Sequence, residues 1–436
     1  MTTDKQAKTA PLFRWIFFWL GVLLLFSIVH FTDKRAAQAL DALSALPLLG
    51  ASKKEAVGYL EAVKGWLFLF STALISLPIL RDACPNLRRS KPADAVQALL
   101  IALGIALLLA CLSCSPGNQA MGARYAEISE HPFTQGNSRY SARLFMPAMA
   151  YILFFRGNWL YYLFFLGLTV GLIALLLHWN KASGGLNAWQ CLSLCTSSFV
   201  LFQFQSPGYP DVLVFIFFLL VMCDAFGEDA KLSLLILALV THEASLLVGA
   251  VLAWRYLSRG RFIAYISSLV VYTGIGLIAT GFHLEALNRY SVSDMSGIEW
   301  VLHAPLKELL GVFIAFKALW AVIFSGIALG IRHKLHGETK FIIFTTLAGL
   351  VMTCLAIDTS RMMGFAFPGL LAALSVIRQT LPRRTIQWFY VFIFLLNIVL
   401  PSFSVELNAQ IGFAPGLYQR IYAWLVPLLA NALSSR

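Results

Sequence analysis

Residues 232–254 read LSLLILALVTHEASLLVGAVLAW. The run is long enough to cross a hydrocarbon core and is apolar except at its centre, where Thr241, His242 and Glu243 interrupt it. Ionisable side chains at membrane depth are costly and usually line a site or a cavity. The stretch therefore predicts a membrane protein and, within it, a place where chemistry occurs.

The rest of the chain reads the same way. Of its 436 residues 59% are apolar and 12% charged. Further apolar runs lie at about 12–31, 65–80, 95–113, 158–178, 188–204, 210–226, 262–282, 311–331, 341–356, 363–379 and 386–405. The expected fold is all-α: a polytopic transmembrane helix bundle of about 11–13 spans with interfacial helices on its outer face. Residues 1–94 are read as an N-terminal helix pair with an amphipathic external loop. Residues 95–405 are read as the main transmembrane module, and 406–436 as an external segment with a short helix.

A net charge of +12 would suit nucleic acid, but Lys and Arg collect in short loops at alternate span ends, which is the positive-inside pattern. No nucleic-acid partner is expected; membrane lipids are. Four basic groups are assigned to the cytoplasm: Arg81 to Lys91, Arg255 to Arg261, Arg332 to Lys340, and Arg378 to Arg384. The N-terminus joins them, its first apolar run flanked by Lys5, Lys8 and Arg14 and reading as an anchor rather than a cleavable signal. The mixed charge of loop 32–64 suggests external amphipathic helices lying at the interface.

Between Lys91 and Arg255 this assignment requires an even number of crossings, yet the runs beginning at 95, 158, 188, 210 and 232 are five. Either 232–254 breaks at Thr241–Glu243 into two half-helices that both end on the cytoplasmic side, or Arg143–Arg156 is a very short extra crossing. The broken hairpin is preferred, because a half-helix of about 11 residues rises only about 16 Å. A single straight span with a satisfied His–Glu pair is the alternative.

Seven cysteines give no disulfide framework; they read as buried or reduced thiols. Cys111 and Cys114 are three apart, but no second pair at zinc spacing accompanies them. No metal site is assigned.

The polar residues suited to chemistry lie on the predicted outer side. In the loop Ser115–Arg143, Arg124, Glu127, Glu130 and His131 share one short helical window ended by Pro132, so Arg124 with Glu127 and Glu127 with His131 are spaced to pair. A surface ion pair and a functional role are both open there. Arg139, Tyr140 and Arg143 precede LFMPAMAYILFF, a run better suited to an interfacial helix, with its apolar face among acyl chains and its arginines at the phosphate level. SPGYPD at 206–211 sets Asp211 at the start of a run, and Asp358 and Arg361 stand three apart between two uncharged runs. The long loop 283–310 reads as a connector, an acceptor contact or a lid.

GARYAEISEHPF, then Arg143 with MPAMAYIL, then PD before a span, THEA inside a broken segment, and DTSR before FAFP together resemble the GT-C superfamily of polytopic glycosyltransferases. The similarity is to bacterial transferases of the aminoarabinose and protein-mannosyl type, over about residues 95–405. It implies transfer of a sugar from a polyprenyl-phosphate carrier to a periplasmic acceptor on the outer face of the inner membrane. In that family an acid just before an ARYAEI-like string acts as general base, but here the place is Gly122. The role then falls to Glu127, Glu130 or Asp211, or the chain is a noncatalytic relative.

Displacement of a lipid phosphate needs a carboxylate to take the acceptor's proton and cations to hold the departing phosphate. The clamps expected are Arg139, Arg143 and Arg361. His242 and Glu243 are expected to orient the sugar or couple to a clamp arginine. Any divalent cation would find its hard oxygen ligands in Asp211 and Glu243. Two other classes fit the same features: a polymerase or ligase of lipid-linked glycans, and a transporter with its site at a broken helix.

Overall fold

The computed structural model describes residues 4–30, 53–89, 92–113, 120–133, 143–182, 188–279, 301–302, 304–355, 358–400, 403–406, 410–413 and 427. In chain order the helices are α1 (Asp4–His30), α2 (Lys53–Arg89), α3 (Pro92–Ser113), α4 (Ala120–Ile128), α5 (Phe145–Ile152), α6 (Asn158–Ala182), α7 (Ala188–Cys195), α8 (Ser198–Gln205) and α9 (Asp211–Met222). They continue with α10 (Glu228–Thr241), α11 (Ser245–Tyr256), α12 (Arg259–Ala279), α13 (Pro305–Phe316), α14 (Trp320–Arg332), α15 (His336–Leu355), α16 (Thr359–Gly364), α17 (Phe367–Thr380) and α18 (Arg383–Val399). One antiparallel hairpin follows, β1 (Phe403–Glu406) on β2 (Gln410–Phe413). The described residues are thus helical apart from these two short strands and the turns that join the helices.

Two compact units divide the chain. Unit 1 holds Met1–Ser90, Ala123–Phe164 and Leu220–Tyr290; unit 2 holds Lys91–Gly122, Phe165–Leu219 and Ser291–Arg436. The expected boundaries at 94 and 405 do not follow these units, because the N-terminal helices pack on helices from the middle of the chain.

In unit 1, Gly21 lets α1 lie close on α2: a Cβ there would stand 3.0 Å from the Leu74 Cβ. Phe26 of α1 meets Tyr272 of α12 edge-on, 5.1 Å between centroids. Helix α10 is enclosed, with every residue from Ala230 to Thr241 buried, which suits a helix apolar almost all round. It stops where the Thr241 hydroxyl donates back to the Leu237 carbonyl at 2.7 Å and His242 takes an extended backbone. Competition of this kind by a hydroxyl bends helices.

Helix α11 then runs back along α10. The Ser258 N–H donates to the Glu228 carboxylate at 3.1 Å, and the Lys231 ammonium lies 5.0 Å from the Tyr256 ring centroid. A straight helix would hold residues 228 and 258 about 45 Å apart. The stretch 232–254 is therefore a hairpin whose arms rise about 20 Å each, and the straight-span alternative is excluded. At its open end Arg261 holds Asp229 at 2.6 Å and Glu228 at 3.0 Å, and Asp82 of α2 accepts the Gly227 N–H at 2.8 Å.

Three expectations for unit 1 are corrected. Phe145, Met146, Pro147, Ala148 and Ala150 of α5 are buried inside the protein rather than among acyl chains, because this short helix is apolar on every side and follows an arginine held by Glu243. Lys53–Lys64 are the opening turns of the long α2 rather than a separate interfacial helix; residues 32–52 lie outside the described residues. Helix α4 ends at Ile128, before Pro132.

Unit 2 packs on small residues, as helices do where no side chain separates their backbones. A Cβ on Gly326 of α14 would stand 2.5 Å from the Ala373 Cβ of α17, and one on Gly349 of α15 would stand 2.7 Å from the Ala366 Cβ. Phe367 stacks on Phe199 at 4.8 Å and meets Phe215 edge-on at 5.4 Å. Two runs read as continuous spans are broken. The run 188–204 parts at Thr196 and Ser197, and 311–331 parts at Lys317, whose φ is +49°. Asn397 ties the two breaks together, accepting the Ala318 N–H and donating to the Thr196 hydroxyl, both at 2.9 Å. The Lys317 ammonium donates at 3.4 Å to the carbonyls of Asn397 and Leu400 at the end of α18.

By length and composition five helical segments are apolar enough to cross a membrane among the described residues: Glu61–Cys84, Asn158–Leu177, Arg259–Ile278, Pro305–Arg332 and His336–Leu355. Leu99, Leu100, Leu103 and Leu107 on α3 and Trp388, Phe392, Leu395 and Val399 on α18 are exposed. Apolar faces of that extent are unlike the surface of a water-soluble monomer.

Candidate functional site

The tip of the α10–α11 hairpin carries a sequence-predicted cluster at a break between two helices. Glu243 lies in the turn and is gripped by Arg143, from just before α5: Nη2 donates to Oε1 at 2.6 Å, and Nε lies 3.2 Å and 3.3 Å from the two oxygens. Arg143 also donates from Nη1 to the Tyr125 hydroxyl of α4 at 3.3 Å. The arginine side chain is 9% exposed and that of Glu243 32%, so the carboxylate is the accessible partner. Charge-assisted fork contacts of this kind fix geometry as well as energy.

His242 is buried and completes the turn. Its Nδ1 accepts the Ala244 N–H at 3.0 Å and stands 3.6 Å from Glu243 Oε2. A ring nitrogen that accepts a backbone N–H carries no proton, so the neutral ring is protonated on Nε2. The structure thus brings Arg143, His242 and Glu243 together, with Tyr125 added from the ARYAEI string.

The neighbouring acids differ in availability. Arg124 and Glu127 pair at 2.9 Å with side chains 63% and 58% exposed, a solvated pair that contributes little. His131 pairs with Glu61 of α2 at 3.1 Å rather than with Glu127, because after Ile128 the chain leaves the helix in tight turns (Glu130 N–H to Glu127 O, His131 N–H to Ile128 O). Glu130 is exposed, and its carboxylate has no hydrogen bond or ion pair among the described residues. It lies beside Gly157, whose N–H donates to the Ser129 hydroxyl at 3.0 Å; with φ +80° that position suits glycine, and a Cβ there would stand 3.0 Å from Glu130 Oε1.

Unit 2 contains a second ionic cluster. Asp211, at the start of α9, turns both oxygens to Arg361: Nε and Nη2 donate to Asp211, and Nη1 donates to Asp358 at 2.9 Å. The guanidinium lies 4.4 Å from the Tyr209 ring centroid. The expected Asp358–Arg361 pair is present, and Asp211 joins it. Two roles expected from sequence are corrected here. Asp211 is 0% exposed and occupied by the guanidinium, so it is neither an open base nor a cation ligand. Arg361 is buried between two carboxylates and is not an open phosphate clamp, since a charge at that depth must be paired.

Arg139 and Tyr140 lie outside the described residues. No group of three or more His, Cys, Asp or Glu positioned to hold a metal ion occurs among the described residues. Sequence reading missed Tyr125, Glu61, the Thr359–Glu308 hydrogen bond and Lys317. Lys317 had a signal, a lone cation in the apolar string GVFIAFKALWAV; Glu61 and Glu308 had none, since their partners are distant in sequence.

No family model, curated protein or solved structure matches the chain. The chemistry is therefore read from the geometry. Unit 1 offers a fixed guanidinium, a carboxylate that orients it and, on the segment that follows Tyr125, a second carboxylate that is unpaired among the described residues.

Proposed function

We propose that the chain is a multi-pass glycosyltransferase of the GT-C kind in a bacterial inner (cytoplasmic) membrane, its basic loops inside and the Arg143–Glu243 pair toward the periplasm. It moves a sugar from a polyprenyl-phosphate carrier to the hydroxyl of a periplasmic acceptor. The observation that carries this reading is the arginine held by a carboxylate at the tip of a broken helix pair, with the unpaired Glu130 on the segment whose Tyr125 touches that arginine. The motif order from GARYAEI to DTSR supports it.

In the reaction the acceptor's O–H gives its proton to Glu130 while its oxygen bonds to the anomeric carbon from the face opposite the carrier. The bond from that carbon to the carrier phosphate breaks, and the phosphate leaves with the electron pair. Arg143 meets the charge that develops on it; Glu243 keeps the guanidinium in place. A positioned base contributes on the order of 10²–10⁴ in rate. The paired-carboxylate scheme of glycoside hydrolases is not needed, because the donor already carries its leaving group.

The test is complementation of a deletion strain with Glu130→Gln, Arg143→Lys and Glu243→Gln, scoring lipid-linked sugar and glycosylated product together. Loss of product with accumulation of the lipid-linked sugar, at normal protein abundance, is expected. Full product from all three variants would remove the reading. A transporter is the second reading, favoured by the helix broken at ionisable residues; it predicts solute movement that Glu130→Gln leaves intact.

A further inference from the structure

At the open end of the α10–α11 hairpin, far from Glu243, unit 1 holds a cavity of about 220 Å³. Arg14, Arg81 and Arg261 line it together with Asp229. Its apolar wall is made by Trp15, Phe18 and Leu232. These arginines come from three parts of the sequence, each assigned to the same membrane side by the positive-inside pattern.

The donors are not used up. Asp229 is the one carboxylate in the lining, and it is bracketed by Arg261 at 2.6 Å and Arg81 at 4.0 Å. Two further acids stand nearby, Asp82 on Arg81 and Glu228 on Arg261, each at 3.0 Å. Both acids also accept backbone N–H groups, from Gly227 and Ser258. Among the described residues Arg81 donates only its Nε, and Arg261 leaves its Nη2 group unused. Arg14 has no partner among the described residues. An exposed guanidinium with no ion-pair partner among the described residues, two others with spare N–H groups and an aromatic wall make a cradle for a phosphate ester attached to an apolar body.

We propose that this cavity binds the phosphate of an anionic phospholipid headgroup, with Arg14 as the principal donor and the glycerol and first acyl carbons against Trp15, Phe18 and Leu232. Basic pockets between helices on the cytoplasmic side recognise such lipids by this chemistry. The proposal rests on the bilayer placement given above and not on glycosyl transfer.

The experiment uses the full chain, purified after alkaline washing of membranes and studied in neutral detergent by thermal unfolding. Added phosphatidylglycerol is expected to raise the Tm and phosphatidylcholine not. Arg14→Ala, which removes no hydrogen bond or ion pair among the described residues, should need about tenfold more phosphatidylglycerol for the same rise. Inorganic phosphate and glycerol phosphate form a parallel arm: a rise with them equal to that with the lipid would assign the cavity to a free phosphate and overturn the headgroup. Equal response to both lipids, or an Arg14→Ala protein as responsive as the wild type, would also overturn it. Release of the chain by the alkaline wash would fail the bilayer placement; retention without lipid preference would fail this proposal alone.

Discussion

Glu243 and Arg143 are 100 residues apart in sequence and meet with 2.6 Å between Oε1 and Nη2. The contact fastens the tip of one broken helix pair to the start of α5. Removing one member leaves the other charge partly buried without its partner, which costs about 2–3 kcal/mol when one side chain keeps some solvent. Arg143→Met and Glu243→Gln should each lower the unfolding free energy in detergent by about that amount, and the double variant by clearly less than the sum. Additive losses would mean that the pair contributes nothing jointly.

The buried cluster of unit 2 predicts an unequal pair of variants. Asp211 is fully buried and takes two donors from Arg361, whereas Asp358 is a fifth exposed and takes one. Asp211→Asn should cost about 3–5 kcal/mol and Asp358→Asn about 1–2 kcal/mol. Thermal melts of the two proteins give the ranking; the reverse order would show that the exposed acid is the principal partner of Arg361.

Gly326 has no room for a side chain against Ala373. Gly326→Leu should separate α14 from α17 and destabilise the protein by about 1–3 kcal/mol or more, while Gly337→Leu, where a Cβ meets nothing within 4 Å, should be close to neutral. Equal melting temperatures would contradict close packing of these two helices.

How far the sequence carried these features depends on the separation of the partners. The hairpin was legible because Thr241, His242 and Glu243 interrupt an otherwise apolar run, and a parity conflict in the basic loops pointed to the same stretch. The Asp358–Arg361 pair was legible because both residues sit one helical turn apart. Asp211 joins it from 150 positions away, and no local pattern announces such a meeting. The break at Lys317 is missed by reading 311–331 as one apolar span, although a lysine inside such a run is the same signal that betrays Glu243. Helical spacing allows His131 to meet Glu127, but the chain leaves the helix after Ile128 and His131 pairs with Glu61 instead. The expectation that α5 lies at an interface failed because an apolar segment of 8 residues fits a protein interior as readily as lipid.

Acid sensitivity has a site at the open end of the hairpin. Hydrogen bonds from Ser258 first, then the charge of Arg261, hold the Glu228 carboxyl below the usual carboxylate range. A lowered folded-state value means that the stability it lends is complete above the unfolded carboxyl's range, about pH 4.3, and fades as the pH falls through the folded value. Because Glu228 is well exposed the effect is small. The Tm gap between wild type and Glu228→Gln should be present at pH 7 and close on acidification; a gap that widens in acid would reverse the assigned sign.

Residues 228–258 form a hairpin, and the placement of Glu243 against Arg143 depends on it. Glu228→Cys and Ser258→Cys, combined in a cysteine-free background and spin-labelled in lipid nanodiscs, give the distance between its two ends by pulsed electron resonance. The hairpin predicts labels near contact, as the 3.1 Å bond between these residues requires. A distribution centred near about 45 Å, the length of a straight helix of this span, would contradict it.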